Sequence, residues 1–423
     1  MSDEIEFTKS FAQFISESPT SYHAVAAMGS RLEAAGFAQL DETRAWDDVE
    51  GKHFVIRDGA LIAWRTPLVI NRQTGLRVVG SHTDSPALKL KPKPVYNSEG
   101  WAMLNLETYG GLLLNSWLDR ELGLAGRLVT KKGEVKLVST KPLLRIPQLA
   151  PHLDRSVNES LTLSKQQNMM PFYGFTGEVD DILAILCEAA GIDADELGYY
   201  DVFTYPTEAP AIFGAKDEFF AASRMDNLSS VFPSLEAFIE LDDSRSGDIA
   251  IMAAFDHEEV GSGTRSGASG PFLGDVIDRL ADLLGFRGDA YRALIARSSC
   301  ISADAGHSVN PNYVSKHDPV NHPIINGGPV LKINANQRYA TDGVGSALWF
   351  RACDAAGVKS QTFVGNNDVP CGTTIGPLTA TRIGLVTVDV GIPLLSMHSA
   401  RELAGTADLL ALRKVLGAYW EGA

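Results

Sequence analysis

The sequence has little that would tie it to a membrane, a nucleic acid or an oxidising compartment. No run approaches the roughly 18 apolar residues that a membrane span requires. The N-terminus MSDEIEFTKS is acidic and lacks the basic stretch and apolar core of a signal peptide, so a cytoplasmic location is expected. Only 37 Lys and Arg stand against 52 Asp and Glu, and the net charge of -15 disfavours nucleic acid and anionic lipid as partners. The four cysteines (Cys187, Cys300, Cys353, Cys371) are scattered and form no C-x-x-C pair, which argues against a disulfide frame. No internal repeat or low-complexity tract is present. The glycine-rich GSGTRSGASG (261–270) lacks the lysine of a phosphate-binding loop and reads as a flexible loop.

What is present is an ordinary globular composition, 45% hydrophobic and 21% charged over 423 residues, enough for roughly two or three domains. Ile5, Phe7, Phe11, Phe14 and Ile15 fall near one helical face, and a second helix is expected over 21–35, stopping at Gly36. Strand-like runs follow at 54–56, 61–64 and 76–79. Residues 91–210 differ in character, with short alternating segments and a hairpin whose turn lies at Lys132-Gly133. From 211 onward apolar strands alternate with helical stretches at 228–241, 274–284, 345–356 and 404–419. This pattern predicts an α/β fold: a mixed sheet flanked by helices, formed by residues 1–90 and 211–423, with a smaller β-rich domain inserted over 91–210.

Five places put His, Asp or Glu beside a strand-like run: LRVVGSHTDSP (His82, Asp84), FFAASRMDNLSS (Asp226), IAIMAAFDHEEVGS (His257, Glu258, Glu259), SSCISADAGHS (Asp304, His307) and LVTVDVGIPLLSMHSARE (His398). Open α/β sheets bind ligands beyond the carboxyl ends of their strands. Singly, each segment also reads as punctuation: Asp226-Asn227 as a helix cap, Asp304 as a turn residue, Glu258-Glu259 as a solvated pair, His398 as a helix-dipole partner. Together, two histidines and three carboxylates form the N/O set that zinc accepts, and manganese or cobalt can also occupy such a set.

Residues two apart share a side of an extended segment, so Asp84 is expected to accept from the second ring nitrogen of His82 and fix its tautomer. Two metal ions need a shared carboxylate. Asp226 is the natural bridge, with His82 and Asp304 completing one ion and Glu259 and His398 the other. If the segment is extended, Glu258 points away from Glu259 and is left over as a general base. His257 is omitted from the set.

Seven segments in chain order, GSHTDSPALKLKP, SRMDNLSS, DHEEVGS, SADAGHSVNPNY, GPVLKINANQRYAT, NDVPCGTTIGP and MHSARE, resemble the aspartyl aminopeptidases, cytosolic exopeptidases with two zinc ions. The likeness extends from SPTSYHAV, which begins at Ser18, to the C-terminal helix. It implies removal of an N-terminal Asp or Glu from peptides through a zinc-activated water. His82, Asp226, Glu259, Asp304 and His398 match the metal ligands, Glu258 the general base, and Asp84 the residue that orients a histidine. Lys332 in VLKIN matches a lysine near the acidic side chain of the substrate, although from its strand position it also reads as an outward-facing edge residue. His152 matches a histidine supplied to the neighbouring subunit's active site. The resemblance further implies dimers assembled into a tetrahedral dodecamer through the inserted domain. Asn310 and Gln148 stand where relatives commonly carry histidine. A related hydrolase acting on other N-termini or acyl groups, and a non-enzymatic assembly or cargo protein of the same fold, are the alternatives.

Overall fold

Four parallel strands form the centre of the molecule, and their apolar runs are covered on both faces. In the computed structural model, which describes residues 2–242 and 244–423, Ile249–Phe255 pairs with Leu76–His82. That strand pairs in turn with Ser299–Ala303, and Ser299–Ala303 with Val386–Gly391. Ala60–Arg65 and Lys52–Arg57 extend this sheet antiparallel on one side. Val330–Ile333 and Gln361–Val364 extend it on the other, giving nine strands with the short Ala38–Gln39.

All seven residues of Ile249–Phe255 are buried. Ile251, Ala253 and Phe255 face one core and Ala250, Met252 and Ala254 the other, the period of two that a strand imposes. Parallel strands buried on both faces need helices on both sides. One face carries Asp3–Glu17, Ser21–Ala34, Met225–Ile239, Gly343–Ala356 and Thr406–Trp420. The other carries Phe272–Leu283, Asp289–Arg297 and Ile375–Ile383.

A second, antiparallel sheet of seven strands is built from Ala87–Ser98 to Leu197–Pro206. Leu197–Pro206 pairs with both Ala87–Ser98 and Glu121–Thr130, which closes the sheet around its own core of Leu88, Leu104, Leu124 and Val202. Its hairpin turns at Gly133, where φ is 86°. The sheet begins four residues before Lys91 because Ala87–Ser98 leaves directly from the end of Leu76–His82, and it carries one helix, Ile182–Ala190. The helix expected from residue 404 starts at Thr406 instead. Glu402–Gly405 is drawn into a small sheet with Phe219–Ala222. Among the described residues, no helix is long and apolar enough to cross a membrane.

Candidate metal centre

The carboxyl ends of the four central strands deliver the candidate ligands. His82 is the last residue of Leu76–His82 and lies in register with Phe255, the residue before the DHEE run. Asp304 directly follows Ser299–Ala303, and His398 lies beyond Val386–Gly391. Asp226 comes from a different element, at the start of Met225–Ile239, where its own backbone is not yet helical.

The two oxygens of Asp226 face different histidines. Its Oδ1 lies 3.3 Å from His82 Nε2, and its Oδ2 lies 3.2 Å from His398 Nε2. Asp304 Oδ1 is 3.5 Å from the same His82 nitrogen, and Glu259 Oε2 is 3.3 Å from that of His398. Two ligand groups sharing Asp226 result: His82, Asp226 and Asp304 on one side, and Asp226, Glu259 and His398 on the other.

Each histidine donates its outer nitrogen to a backbone carbonyl. His82 Nδ1 lies 3.0 Å from the carbonyl of Asp84, and His398 Nδ1 lies 2.9 Å from that of Gly111. An acceptor-only partner fixes the proton on Nδ1 and leaves Nε2 for the centre. The expected partner of His82, the Asp84 carboxylate, is farther away at 3.4 Å. The carbonyl is the closer acceptor, and the carboxylate is engaged elsewhere. It accepts the Tyr109 hydroxyl at 2.7 Å and the backbone N–H groups of Glu258 and Glu259 at 3.0 and 3.1 Å.

The DHEE run is not extended. His257 has φ 63°, and Glu258–Val260 forms one 3-10 turn. Glu258 and Glu259 therefore do not point in opposite directions. Both converge on His82, with Glu258 Oε2 4.0 Å from His82 Nε2, while Glu259 continues to His398. The ring of His257 turns to Thr264 and Ser266 and joins none of the ligand groups found among the described residues. The glycine-rich loop that follows is not loose. Arg265 grips Asp58 at 2.7 Å, and Ser266 accepts the Asp256 N–H.

The charge balance of the cluster calls for a cation. Burial opposes a charged His398 ring, yet Asp226 and Glu259 outweigh it and raise the group to about 11. His82 is likewise held well above its ordinary value by Asp226, Asp304 and Asp84 despite full burial. Burial, reinforced by neighbouring carboxylates, pushes Glu258 up to about 8 and Glu259 to about 7. Asp226 Oδ1 and Glu259 Oε1 are buried without a hydrogen-bond partner. Orphaned carboxylate oxygens converging on imidazole nitrogens are the donor set of a divalent metal site, and the residues present fit zinc.

Those features match a known family over almost the whole chain: residues 14–420 fit the model of the aminopeptidase I zinc metalloproteases, M18. The chain belongs to the M18 family of zinc aminopeptidases. Among curated M18 relatives, a probable M18 family aminopeptidase 2 of Streptomyces avermitilis is 48% identical, over 100% of this chain and 100% of its own. A Pseudomonas aeruginosa counterpart is 43% identical over 98% of each. Of solved M18 structures, yeast aminopeptidase 1 superposes with a TM-score of 0.87 at 30% identity, covering 99% of this chain and 98% of that one. The chain of the Ape4 and Nbr1 complex gives 0.95 at 33% identity, covering 99% of this chain and 86% of its own.

Two of the remaining sequence candidates are not members of the ligand groups. Lys332 is 1% exposed and is no edge residue, because its strand is paired on both sides. Its Nζ donates to the Ala305 carbonyl at 2.8 Å and lies 3.4 Å from Asp304 Oδ2. His152 is exposed in the loop between Leu144–Arg145 and Phe172–Phe175, outside the cluster.

Sequence reasoning missed three supporting residues. Asn227 ties the turn after Ser299–Ala303 by donating to the Ala303 carbonyl at 2.9 Å and accepting the Ala305 N–H at 3.2 Å. Glu402 is 2% exposed and takes the backbone N–H groups of Met225, Asp226 and His398. Both stand inside quoted segments, SRMDNLSS and MHSARE, and a buried role for each polar side chain was the available signal. Tyr109 had none, because only the tertiary fold brings the inserted sheet to Asp84.

Proposed function

We propose that this M18 aminopeptidase removes N-terminal Asp or Glu from peptides with two zinc ions per chain, Glu258 serving as general base. The observation that carries the two-ion reading is Asp226 presenting one oxygen to each histidine. His82 and Asp304 would complete one site, and Glu259 and His398 the other. Zinc bound there would supply Lewis acidity toward a water and toward the scissile carbonyl.

Glu258 takes the proton of the attacking water. The water oxygen adds to the carbonyl carbon, the C–N bond breaks, and Glu258 returns the proton to the leaving amine nitrogen. Burial and the carboxylates around it raise Glu258 in the metal-free centre, and zinc bound beside it would favour the ionised form that a general base requires. Asp84 orients the base by holding its backbone.

The acidic preference rests on local positive charge within a chain of net charge -15. Lys332 lies beside Asp304, and Lys316 supplies the cationic side chain of a cavity of about 270 Å³ that His307 and Tyr339 also line. Assembly follows the same reading. A neighbour at 30% identity and TM-score 0.87 is the mApe1 dodecamer of S. cerevisiae. We assign this chain the same self-association, residues 91–210 mediating it and His152 reaching an adjoining subunit, in the cytoplasm. Rates on aspartyl, glutamyl and leucyl model substrates, before and after chelation, test the reading. Fast acidic cleavage that chelation abolishes supports it, and leucyl cleavage as fast as aspartyl refutes the specificity.

A further inference from the structure

We infer that Glu402 is a positioning residue that sets the geometry of the His398 side of the centre, an inference that rests on the two-ion reading above. Glu402 touches no reacting atom. Its Oε2 accepts the N–H of Met225 at 2.7 Å and of Asp226 at 3.1 Å, and its Oε1 accepts the N–H of His398 at 2.9 Å. One buried carboxylate thus binds the backbone of the shared ligand and the backbone of a histidine 172 residues farther along the chain.

The backbone at both ends of this clamp is unusual. His398 has φ 64°, and Arg224, preceding Met225, has φ 60°, the left-handed region that side chains other than glycine rarely adopt. Such conformations persist where the surroundings over-determine them. His398 is constrained at two further atoms. Leu113 donates to its carbonyl at 3.0 Å, and Gly111 accepts from its Nδ1. His82, at the end of a strand paired on both sides, has no such dependence on Glu402.

Glu402→Gln exposes the requirement for two acceptors. Whichever way the amide turns, its NH₂ meets a backbone N–H, either of His398 or of the Met225–Asp226 pair. The experiment is to strip the full chain with a chelator and titrate Zn²⁺ back against a chromophoric competitor, in wild type and Glu402→Gln. The expected result is two ions in both, one of them weakened by roughly 10–100-fold in the variant and the other much less. A purely structural role would not separate the two ions. Unchanged affinities, or equal weakening of both, overturn the inference while leaving the two-ion reading intact. Fewer than two ions in the wild type overturns that reading, and this inference with it. If circular dichroism shows Glu402→Gln unfolded, Glu402→Asp, which keeps both oxygens but is a methylene too short to reach both ends, is judged by the same criterion.

Discussion

The carboxylate of Asp84 accepts the backbone N–H of Glu258 at 3.0 Å, so the end of one central strand fixes the residue that follows its neighbour. With the Glu259 N–H and the Tyr109 hydroxyl on the same carboxylate, Asp84 secures Glu258 and Glu259, the proposed base and the proposed ligand, together. In Asp84→Asn one of these donors must face an NH₂ group. We expect zinc affinity to fall roughly 10–100-fold, measured by competition titration. Tyr109→Phe removes one hydrogen bond to a charged acceptor and should cost about 1.5–3 kcal/mol in denaturant unfolding. An Asp84→Asn protein with unchanged zinc affinity contradicts the assignment.

Zinc uptake should release protons. His82 is held well above its ordinary value and His398 at about 11, so at pH 7 the metal-free centre carries protonated imidazoles that must be neutral to ligate. Affinity should therefore fall as pH falls, because each lost pH step favours the protonated, non-ligating form. Calorimetric titration in two buffers of different ionisation heat reads the proton count. No buffer dependence at pH 7 would count against the charge balance described.

Lys332→Ala is expected to lower kcat/KM on aspartyl and glutamyl substrates about 10- to 100-fold more than on neutral ones, the value of one charge-assisted hydrogen bond. An equal loss on all substrates would assign Lys332 to holding Asp304, from which its Nζ lies 3.4 Å.

His152→Ala should reduce turnover without changing zinc content, because its exposed loop lies outside the ligand groups of its own chain. Wild-type turnover by this variant, or by subunits dissociated to monomers, removes His152 from catalysis.

The clustering of His82, Asp226, Glu259, Asp304 and His398 was legible because a parallel sheet places strand ends together, so residues scattered from 82 to 398 could be gathered without coordinates. Three things were not legible. The φ of 63° at His257 converts an expected extended run into a turn, which turned Glu258 and Glu259 toward a common histidine. The i,i+2 spacing of His82 and Asp84 does not distinguish the Asp84 carbonyl from its carboxylate as the partner of Nδ1. Tyr109 acts on the Asp84 carboxylate, and Asn227 and Glu402 act on backbone groups; these contacts form only after distant segments pack, and no periodicity reports them. The fold was read more evenly. Apolar runs gave the central strands, whereas the last helix is expected two residues early, at 404, because the pairing partner of Glu402–Gly405 lies about 180 residues away at Phe219–Ala222.

Glu258→Gln tests the central claim most directly, with zinc content and turnover on an aspartyl substrate measured on the same preparation. The account predicts zinc content equal to wild type and turnover lower by about 10²–10⁴-fold, the contribution of a positioned general base. Wild-type turnover with zinc retained contradicts it.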